Sequence, residues 1–152
     1  MPRLQMLLPV ALIALAGCTA QEAPRKAELV QAQPGYTDLG GLRVHYNLLP
    51  TLAMNDAVAR SYGVERQPDR ALLVVALRQL AAGDELPSTG TVQASATDLS
   101  GKRQTVQLRP VQTGAYTDLI GELDAHARDQ LRIELQVASA TGAGNVQFKR
   151  NF

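Results

Sequence analysis

From Tyr36 onward, apolar and polar residues alternate along the chain with a period of two, and turn residues interrupt the alternation. A period of two predicts β-strands that pack one face and expose the other to water. The clearest case is Leu131 to Val137, where every second residue is aliphatic. Segments 43–48, 70–80, 91–99, 104–110, 116–123, 131–137 and 146–152 are the predicted strands.

One of these segments is apolar at nearly every position instead of every second one. It runs from Arg70 to Leu80 and is the most hydrophobic stretch after the amino terminus. A continuous apolar run indicates a strand that is covered on both faces, here partly by a short helix. A buried helix is the alternative, but the β-branched pair Val74 and Val75 favours a strand.

Residues 55–62 form the only clear helical pattern. Asn55 can cap the amino terminus, and Gly63 can adopt the left-handed conformation that ends a helix. Val58 and Tyr62, four residues apart, are predicted to share the buried side.

Turn residues divide the strands. Gly83 to Gly90 is predicted to be a surface loop, and Asp98 to Lys102 the turn of a hairpin. About seven short strands with one helix predict an all-β domain over residues 36–152, an immunoglobulin-like antiparallel β-sandwich. A small barrel is the alternative.

The amino terminus carries a short apolar run after Arg3 that ends in Leu15, Ala16, Gly17 and Cys18. A transmembrane helix needs about 20 apolar residues, so this run fits the core of a signal peptide better. An uncleaved anchor is the alternative. The four residues resemble the bacterial lipobox, which implies a signal peptide at 1–17, diacylglycerol on the Cys18 sulfur and an acylated new amino terminus.

Residues 18–35 are polar and show no sustained periodicity, so we interpret them as a flexible tether that follows the lipidated cysteine. The resemblance to Gram-negative lipoproteins implies that an Asp after the cysteine would retain the protein at the inner membrane. Thr19 stands there instead. We therefore expect a lipid-anchored envelope protein that faces the periplasm, and Thr19 favours the outer membrane over the inner one.

Composition excludes some classes of partner. The chain has 15 basic and 14 acidic residues and a single cysteine. Without a basic excess, nucleic acid is not an expected partner. With Cys18 lipidated, no disulfide can form, so stability must come from packing.

Little of the chain points to catalysis. His45 and His126 are the two histidines and stand far apart in sequence, so no metal site, cofactor or catalytic residue is predicted. No Gly-x-Ser-x-Gly motif is present. Glu122, Asp124 and Asp129 surround His126, and we interpret them as a solvated rim.

The strongest candidate for ligand binding is a patch around the short helix. It consists of His45, Asn47, Arg60, Arg66 and Arg70. Arginines bind carboxylates and other anions in a bidentate manner, so the patch could receive an anion. The alternative, which we favour, pairs the arginines with the nearby Asp56, Glu65 and Asp69.

Several motifs resemble one family. They are Val44-His45-Tyr46-Asn47, Pro50-Thr51, Ala57-Val58-Ala59, Tyr62-Gly63, Arg66 and Arg70, the turn Asp98-Leu99-Ser100-Gly101, and Leu131-Arg132-Ile133. From Leu42 to Phe152 the chain resembles a family of short exported Gram-negative proteins known only as a domain of unknown function. The resemblance implies a periplasmic β-sandwich, and it implies no activity or site residue.

Two functional hypotheses follow. The first is a non-catalytic adaptor, held to the membrane by its lipid, that binds an envelope protein or peptide at an exposed sheet edge or at the helix-bearing end. The second is a small periplasmic enzyme or ligand carrier that uses His45 and the arginines. The second needs His45, Arg66 and Arg70 to converge in one pocket, whereas the first needs an uncovered edge or an apolar patch.

Overall fold

The computed structural model describes residues 35–152. The predicted signal peptide, the lipidation of Cys18 and nearly all of the tether therefore lie outside the described residues. Among residues 35–152, no helix is long and apolar enough to cross a membrane.

Ten strands, one α-helix and one 3₁₀ turn follow each other along the described chain. They are β1 (Tyr36–Leu39), β2 (Leu42–Pro50), the 3₁₀ turn (Thr51–Ala53), α1 (Asp56–Tyr62), β3 (Arg70–Ala81), β4 (Asp84–Pro87), β5 (Gly90–Thr97), β6 (Arg103–Val106), β7 (Arg109–Thr113), β8 (Tyr116–Asp124), β9 (Gln130–Ser139) and β10 (Gly142–Asn151).

The strands form two sheets in which all neighbours are antiparallel. The six-stranded sheet has the order β1-β2-β3-β8-β7, with β4 paired to the far end of β3. The four-stranded sheet has the order β10-β9-β5-β6. The two sheets pack face to face in a sandwich-like arrangement. The predicted all-β architecture with one short helix is therefore confirmed at this level.

The main core lies between the sheets and is made of the alternating aliphatic residues. Val44 and Leu48 of β2 are buried in it, as are Ile133 and Leu135 of β9. Tyr46 packs against this core and stacks on Phe148, with ring centroids 4.3 Å apart. Burial of each large aliphatic side chain contributes about 1.5–3 kcal/mol, so packing can stabilise a domain without a disulfide.

A second, smaller core lies on the outer face of the six-stranded sheet. The segment from the 3₁₀ turn through α1 places Met54, Ala59 and Val64 against Leu72 of β3 and Ile120 of β8. Strand β3 is therefore covered on both faces over part of its length, as its continuous apolar run predicted.

Helix α1 begins and ends as the sequence predicted, but its buried side differs. The Asn55 side chain accepts a hydrogen bond from the Val58 amide at 2.8 Å, and Gly63 is left-handed with φ of 62°. The prediction that Val58 is buried was wrong, because Val58 is 40% exposed and Ala59 is the buried residue of the helix. The helix has only two turns, and it contacts the sheet through the small side chain of Ala59.

The described residues contain ten strands, so the estimate of about seven was too low. The segment predicted as a surface loop, 83–90, contains β4, which pairs with β3. The segment predicted as one strand, 104–110, is two strands in different sheets, because the chain crosses between sheets at Gln107 and Leu108. Gly121 of β8 makes room for this crossing, since a Cβ there would lie 2.7 Å from the Gln107 carbonyl oxygen.

A glycine also allows the two sheets to meet at one corner. A Cβ on Gly142 would overlap the carbonyl oxygen of Leu39, the last residue of β1. The neighbouring Gly41 amide donates to the Thr141 carbonyl oxygen at 3.1 Å. The start of β10 is therefore held against the β1–β2 hairpin by direct backbone contact.

Candidate functional site

A network of charged side chains lies on the outer face of the six-stranded sheet, and Arg43 is at its centre. Arg43 donates to both carboxylate oxygens of Asp38, at 2.7 and 2.9 Å, and to Glu85 of β4 at 2.8 Å. His45 Nε2 lies 2.7 Å from the other Glu85 oxygen. The Tyr36 ring stacks under the Arg43 guanidinium at 4.1 Å. The network ties β1, β2 and β4 together.

The acids of this network are held in their ionised form. The hydrogen bond from Arg43 is the main cause that lowers the pKa of Asp38 below its ordinary value. The pKa of Glu85 is lowered first by Arg43 and then by the hydrogen bond to His45. The pKa of Arg43 is raised by its hydrogen bonds to Asp38 and Glu85. At neutral pH, each charge in the network therefore has a partner of opposite sign.

Next to this network, Arg78 of β3 forms an ion pair with Asp118 of β8 at 2.9 Å. The two side chains are only 13% and 11% exposed, and Arg78 also lies over the Tyr116 ring at 4.2 Å. Because the pair is shielded from water, separating the two charges would leave each of them poorly solvated and unpaired. The ion pair therefore holds β3 and β8 in register.

The two histidines are apart, each with its own carboxylate. His45 bonds to Glu85, whereas His126 lies with Nδ1 3.2 Å from Asp129. Among residues 35–152, no three His, Cys, Asp or Glu side chains are grouped closely enough to hold a metal ion.

The predicted arginine patch does not form one site. Arg66 forms an ion pair with Asp56 and donates to the Leu52 carbonyl oxygen at 3.0 Å. Of the three acids expected to pair with the arginines, Asp56 is thus engaged, whereas Glu65 and Asp69 form no ion pair with any described residue. Arg70 instead bonds to Asp124 at 2.8 Å and lies 3.7 Å from Glu122, not beside Asp69. Arg60 is exposed in the last turn of α1.

His45 and Arg70 lie at different ends of the sheet. His45 pairs with Ala76, which is six residues along β3 from Arg70. At about 3.3 Å per residue, the two positions are separated by about 20 Å. Asn47, which is exposed, lies on β2 between them. Convergence of His45, Arg66 and Arg70 in one pocket, which the enzyme or carrier hypothesis required, is therefore not found.

A different feature, a mostly apolar cleft, lies at the helix-bearing end of the sandwich, where β2 ends and β3 begins. We call it the end cleft, and its volume is about 320 Å³. The lining residues are Pro50, Leu52, Gln67, Pro68, Asp69, Arg70, Ala125, His126, Ala127 and Phe152. Leu52 is 50% exposed at its rim.

The backbone around the end cleft is strained and fixed by hydrogen bonds. Asp69 and Arg128 have φ of 59° and 72°, a left-handed backbone conformation that residues other than glycine seldom adopt. The Asp69 carbonyl oxygen accepts from the Ala125 amide at 3.0 Å, and the Arg128 amide donates to Phe152 at 2.9 Å. Strain of this kind concentrates at binding sites, where the surrounding structure compensates for it.

Neither the charged network nor the end cleft was predicted from the sequence. The alternation along β2 places Arg43 on the same polar face as His45, so this part of the network was predictable. Glu85, in contrast, lies in a segment that was predicted to be a loop. The end cleft is built from four segments distant in sequence, around Pro50, Pro68, Ala125 and Phe152. No local pattern predicts such an assembly.

Known structures share this fold. The chain is similar to the crystal structure of a DUF4426 family protein from Pseudomonas aeruginosa PAO1, with 22% identity, a TM-score of 0.63, and coverage of 77% of this chain and 92% of that chain. It is also similar to FetP of uropathogenic E. coli strain F11, recombinantly expressed in the periplasm of E. coli, with 10% identity, a TM-score of 0.54, and coverage of 77% and 91%. A copper-bound variant of FetP gives 10% identity, a TM-score of 0.55, and coverage of 77% and 93%.

At these identities the likeness concerns the fold alone. No curated protein matches the chain in sequence. Residues 36–152, in contrast, match the model of a family described as a domain of unknown function, DUF4426. The resemblance read from the sequence motifs is thereby confirmed, and the chain belongs to the DUF4426 family.

Proposed function

We propose that this protein is a non-catalytic binding module of the bacterial envelope, tethered by a lipid on Cys18, that engages an envelope protein or peptide at the end cleft. The proposal keeps the immunoglobulin-like class for the sandwich, which the antiparallel pairing within both sheets supports. Such sandwiches commonly present binding loops at one end.

The observation that carries the proposal is the end cleft itself. It combines Pro50, Leu52, Pro68 and Phe152 in one concave, mostly apolar surface. Exposed apolar surface of this kind costs solvation free energy unless a partner covers it, and it marks interaction sites in soluble domains. The charged groups on the rest of the six-stranded sheet are instead engaged with one another, as in the ion pairs of Arg43 and Arg78.

Support for the tether comes from the sequence alone. The residues Leu15-Ala16-Gly17-Cys18 end an apolar run of signal-peptide length. Each methylene of an acyl chain buried in a bilayer contributes about 0.8 kcal/mol, and two or more chains hold a protein firmly. Thr19 in place of an Asp favours the outer membrane, and residues 19–35 are long enough to hold the domain beside the bilayer.

The rival proposal, a small periplasmic enzyme or ligand carrier, has less support. His45 and the arginines are separated along the sheet, and each is paired with a carboxylate except the exposed Arg60. Copper, which a FetP variant binds, does not fit the described residues either. His45 has one carboxylate beside it, and Met54 is buried in the small core on the helix-bearing side. Copper sites need more soft or nitrogen ligands than this.

Crosslinking of the full lipidated chain in membranes of its native host tests the proposal. We expect a specific envelope protein to be captured, and we expect His45→Ala to leave this capture unchanged. A small ligand that co-purifies with the protein and is lost on Arg66→Ala or Arg70→Ala would contradict the adaptor role. Mass spectrometry that finds an unmodified Cys18 and an amino terminus at Met1 would contradict the tether.

A further inference from the structure

We infer that the end cleft binds one kind of partner: an extended peptide segment in which a large apolar side chain stands next to a lysine or arginine. This inference rests on the proposed function and adds the chemistry of the partner. Three independent properties of the site support it, namely its size and lining, the free edge that leads to it, and the charge of its rim.

The first property is size. A volume of about 320 Å³ is at the lower end of the range for ligand sites, about 300–1,000 Å³. The walls are apolar except for Gln67, Asp69, Arg70 and His126. A cleft of this size suits one or two apolar side chains of a peptide better than a large cofactor. Leu52, half exposed at the rim, would be covered by such a side chain.

The second property is a strand edge beside the cleft that pairs with no strand of residues 35–152. Strand β1 pairs with β2 only from Leu42 to His45, and one further hydrogen bond joins the Tyr46 amide to the Gly35 carbonyl oxygen. Among residues 35–152, no strand pairs with β2 on this side from Asn47 to Pro50. Because Pro50 lines the cleft, a peptide that adds as a strand along Asn47–Leu49 would lead directly to it. Backbone hydrogen bonds along such an edge supply affinity, and the pocket supplies specificity.

The third property is charge. The described charged residues that line the cleft, or are linked to its lining by hydrogen bonds or ion pairs, are Asp69, Glu122, Asp124, Asp129, Arg66, Arg70 and Arg128. Four carboxylates stand against three guanidinium groups, so the rim is negative. Asp69 lies in the lining and forms no ion pair with any described residue. A basic group on the partner complements this rim, whereas an anionic membrane surface would be repelled by it.

Site-specific photocrosslinking tests the inference. A small diazirine-bearing amino acid replaces Ala127, which is exposed and lines the cleft, in the full lipidated chain within native membranes. The attached species is identified by mass spectrometry. We expect a segment of another protein that has a large apolar residue beside a lysine or arginine. A lipid adduct, an adduct to residues 18–34 of the same chain, or an acidic segment would overturn the inference.

A matched pair of leucine variants separates loss of the site from loss of the fold. Leu52→Asp should abolish the Ala127 adduct, while Leu86→Asp, on β4 at the opposite end of the sheet, should leave it intact. Leu52 and Leu86 are similarly exposed, 50% and 46%, so both variants should fold. Equal effects of the two substitutions would count against the cleft. If general crosslinking still captured a partner but the diazirine at position 127 never did, this inference would be contradicted and the proposed function would remain.

Charge is tested with a defined probe, a capped fluorescent heptapeptide Thr-Val-Thr-Leu-Arg-Thr-Thr. The full chain should bind it on the order of tenfold more tightly than the same peptide with Ser in place of Leu. Asp69→Asn should weaken binding of the arginine peptide by about threefold at low salt and by less at high salt. Asn tolerates the left-handed backbone of position 69, so this variant removes only the charge. An unchanged preference for Leu over Ser after Leu52→Asp would contradict the inference.

Discussion

Arg78 and Asp118 illustrate how strongly a single shielded ion pair can hold two strands together. Both side chains are nearly buried, and Arg78 has an aromatic ring against its other face. Removal of one partner leaves the other charge without compensation. We expect Arg78→Ala or Asp118→Ala to lower the free energy of unfolding by about 3 kcal/mol.

The double variant checks this explanation. If the cost comes from the stranded charge, Arg78→Ala combined with Asp118→Ala should be less destabilising than the sum of the two single changes. Urea unfolding followed by tyrosine fluorescence measures all three variants. Strict additivity would show that the pair does not interact across β3 and β8.

The Asp38–Arg43–Glu85 network predicts a specific dependence of stability on pH. Because the pKa values of Asp38 and Glu85 are lowered in the folded chain, they contribute stability that is present above their unfolded values, about 4. This stability is lost as the pH falls through the folded pKa values. The melting temperature should therefore drop as the pH falls below about 5.

Glu85→Gln should make this drop shallower, since Gln cannot titrate. Glu65→Gln is the matched control, because Glu65 is exposed and makes no ion pair with any described residue. Thermal melts of the three proteins at half-unit steps of pH provide the measurement. A drop of equal steepness in Glu85→Gln would mean that other acids govern the acid sensitivity.

Contacts between side chains close in sequence were predictable, whereas contacts between distant segments were not. The pairing of Arg66 with Asp56 followed from their closeness along the chain. The arginines as a group were expected to pair with Asp56, Glu65 and Asp69, but Arg70 faces Asp124, its cross-strand partner on β8. Which acid pairs with Arg70 depends on the register between β3 and β8.

Among the elements, the corner where β10 meets the β1–β2 hairpin should be the least tolerant of added volume. Gly142→Ala places a methyl group against the Leu39 backbone, which cannot move without the hairpin. We expect a loss of about 2 kcal/mol or more in the free energy of unfolding. Gly144→Ala is the control, since its Cβ meets only the tip of the Leu39 side chain at 3.0 Å. Urea unfolding should show the larger loss for Gly142→Ala.

Helix α1 depends on its cap. A helix of seven residues gains little from its own backbone, so the bond from the Val58 amide to Asn55 has a large share in its stability. Asn55→Ala should cost about 1 kcal/mol, whereas Asn55→Ser should cost less because Ser also caps helices. Equal losses for the two variants, again by urea unfolding, would contradict a capping role.

The sequence predicted elements well where one periodicity continued and poorly where the chain changed sheets. The alternation over β9 and the cap of α1 are local signals, and both were read correctly. The break between β6 and β7 is not visible in the alternation, because apolar residues at Val106 and Leu108 keep the same period through the crossing. Strand β4 carries only one large apolar residue, Leu86, so its pairing to β3 follows from the hairpin turn at Ala82 and Gly83.

For the whole molecule, topology predicts slow folding. Strand β3 pairs with β8 and β5 pairs with β9, each across about 40 residues of chain. Loops of that length must close before their contacts stabilise the fold, so we expect refolding in milliseconds to seconds. Stopped-flow tyrosine fluorescence is suitable, because the chain has four tyrosines and no tryptophan. Refolding within microseconds would contradict this expectation.

The fold class of the whole molecule was predictable from the sequence, whereas the end cleft was not. Patterning alone requires two layers that share a core. The cleft instead depends on where four chain segments meet, and on the left-handed backbone at Asp69 and Arg128. Arg70 was singled out for its charge, and it lines the cleft for a reason that the sequence did not disclose, namely that β3 begins where β2 ends.

Strand β3 separates the end cleft from the charged network. Its twelve residues run from the end cleft to the charged network, and the network's nearest member, His45, is about 20 Å from Arg70. The Debye length at physiological ionic strength is about 8 Å, so charges at one end are screened from the other. Loss of the ion pair between Glu85 and Arg43, as in Glu85→Gln, should therefore leave recognition at the opposite end almost unaltered, and the two ends can be varied independently.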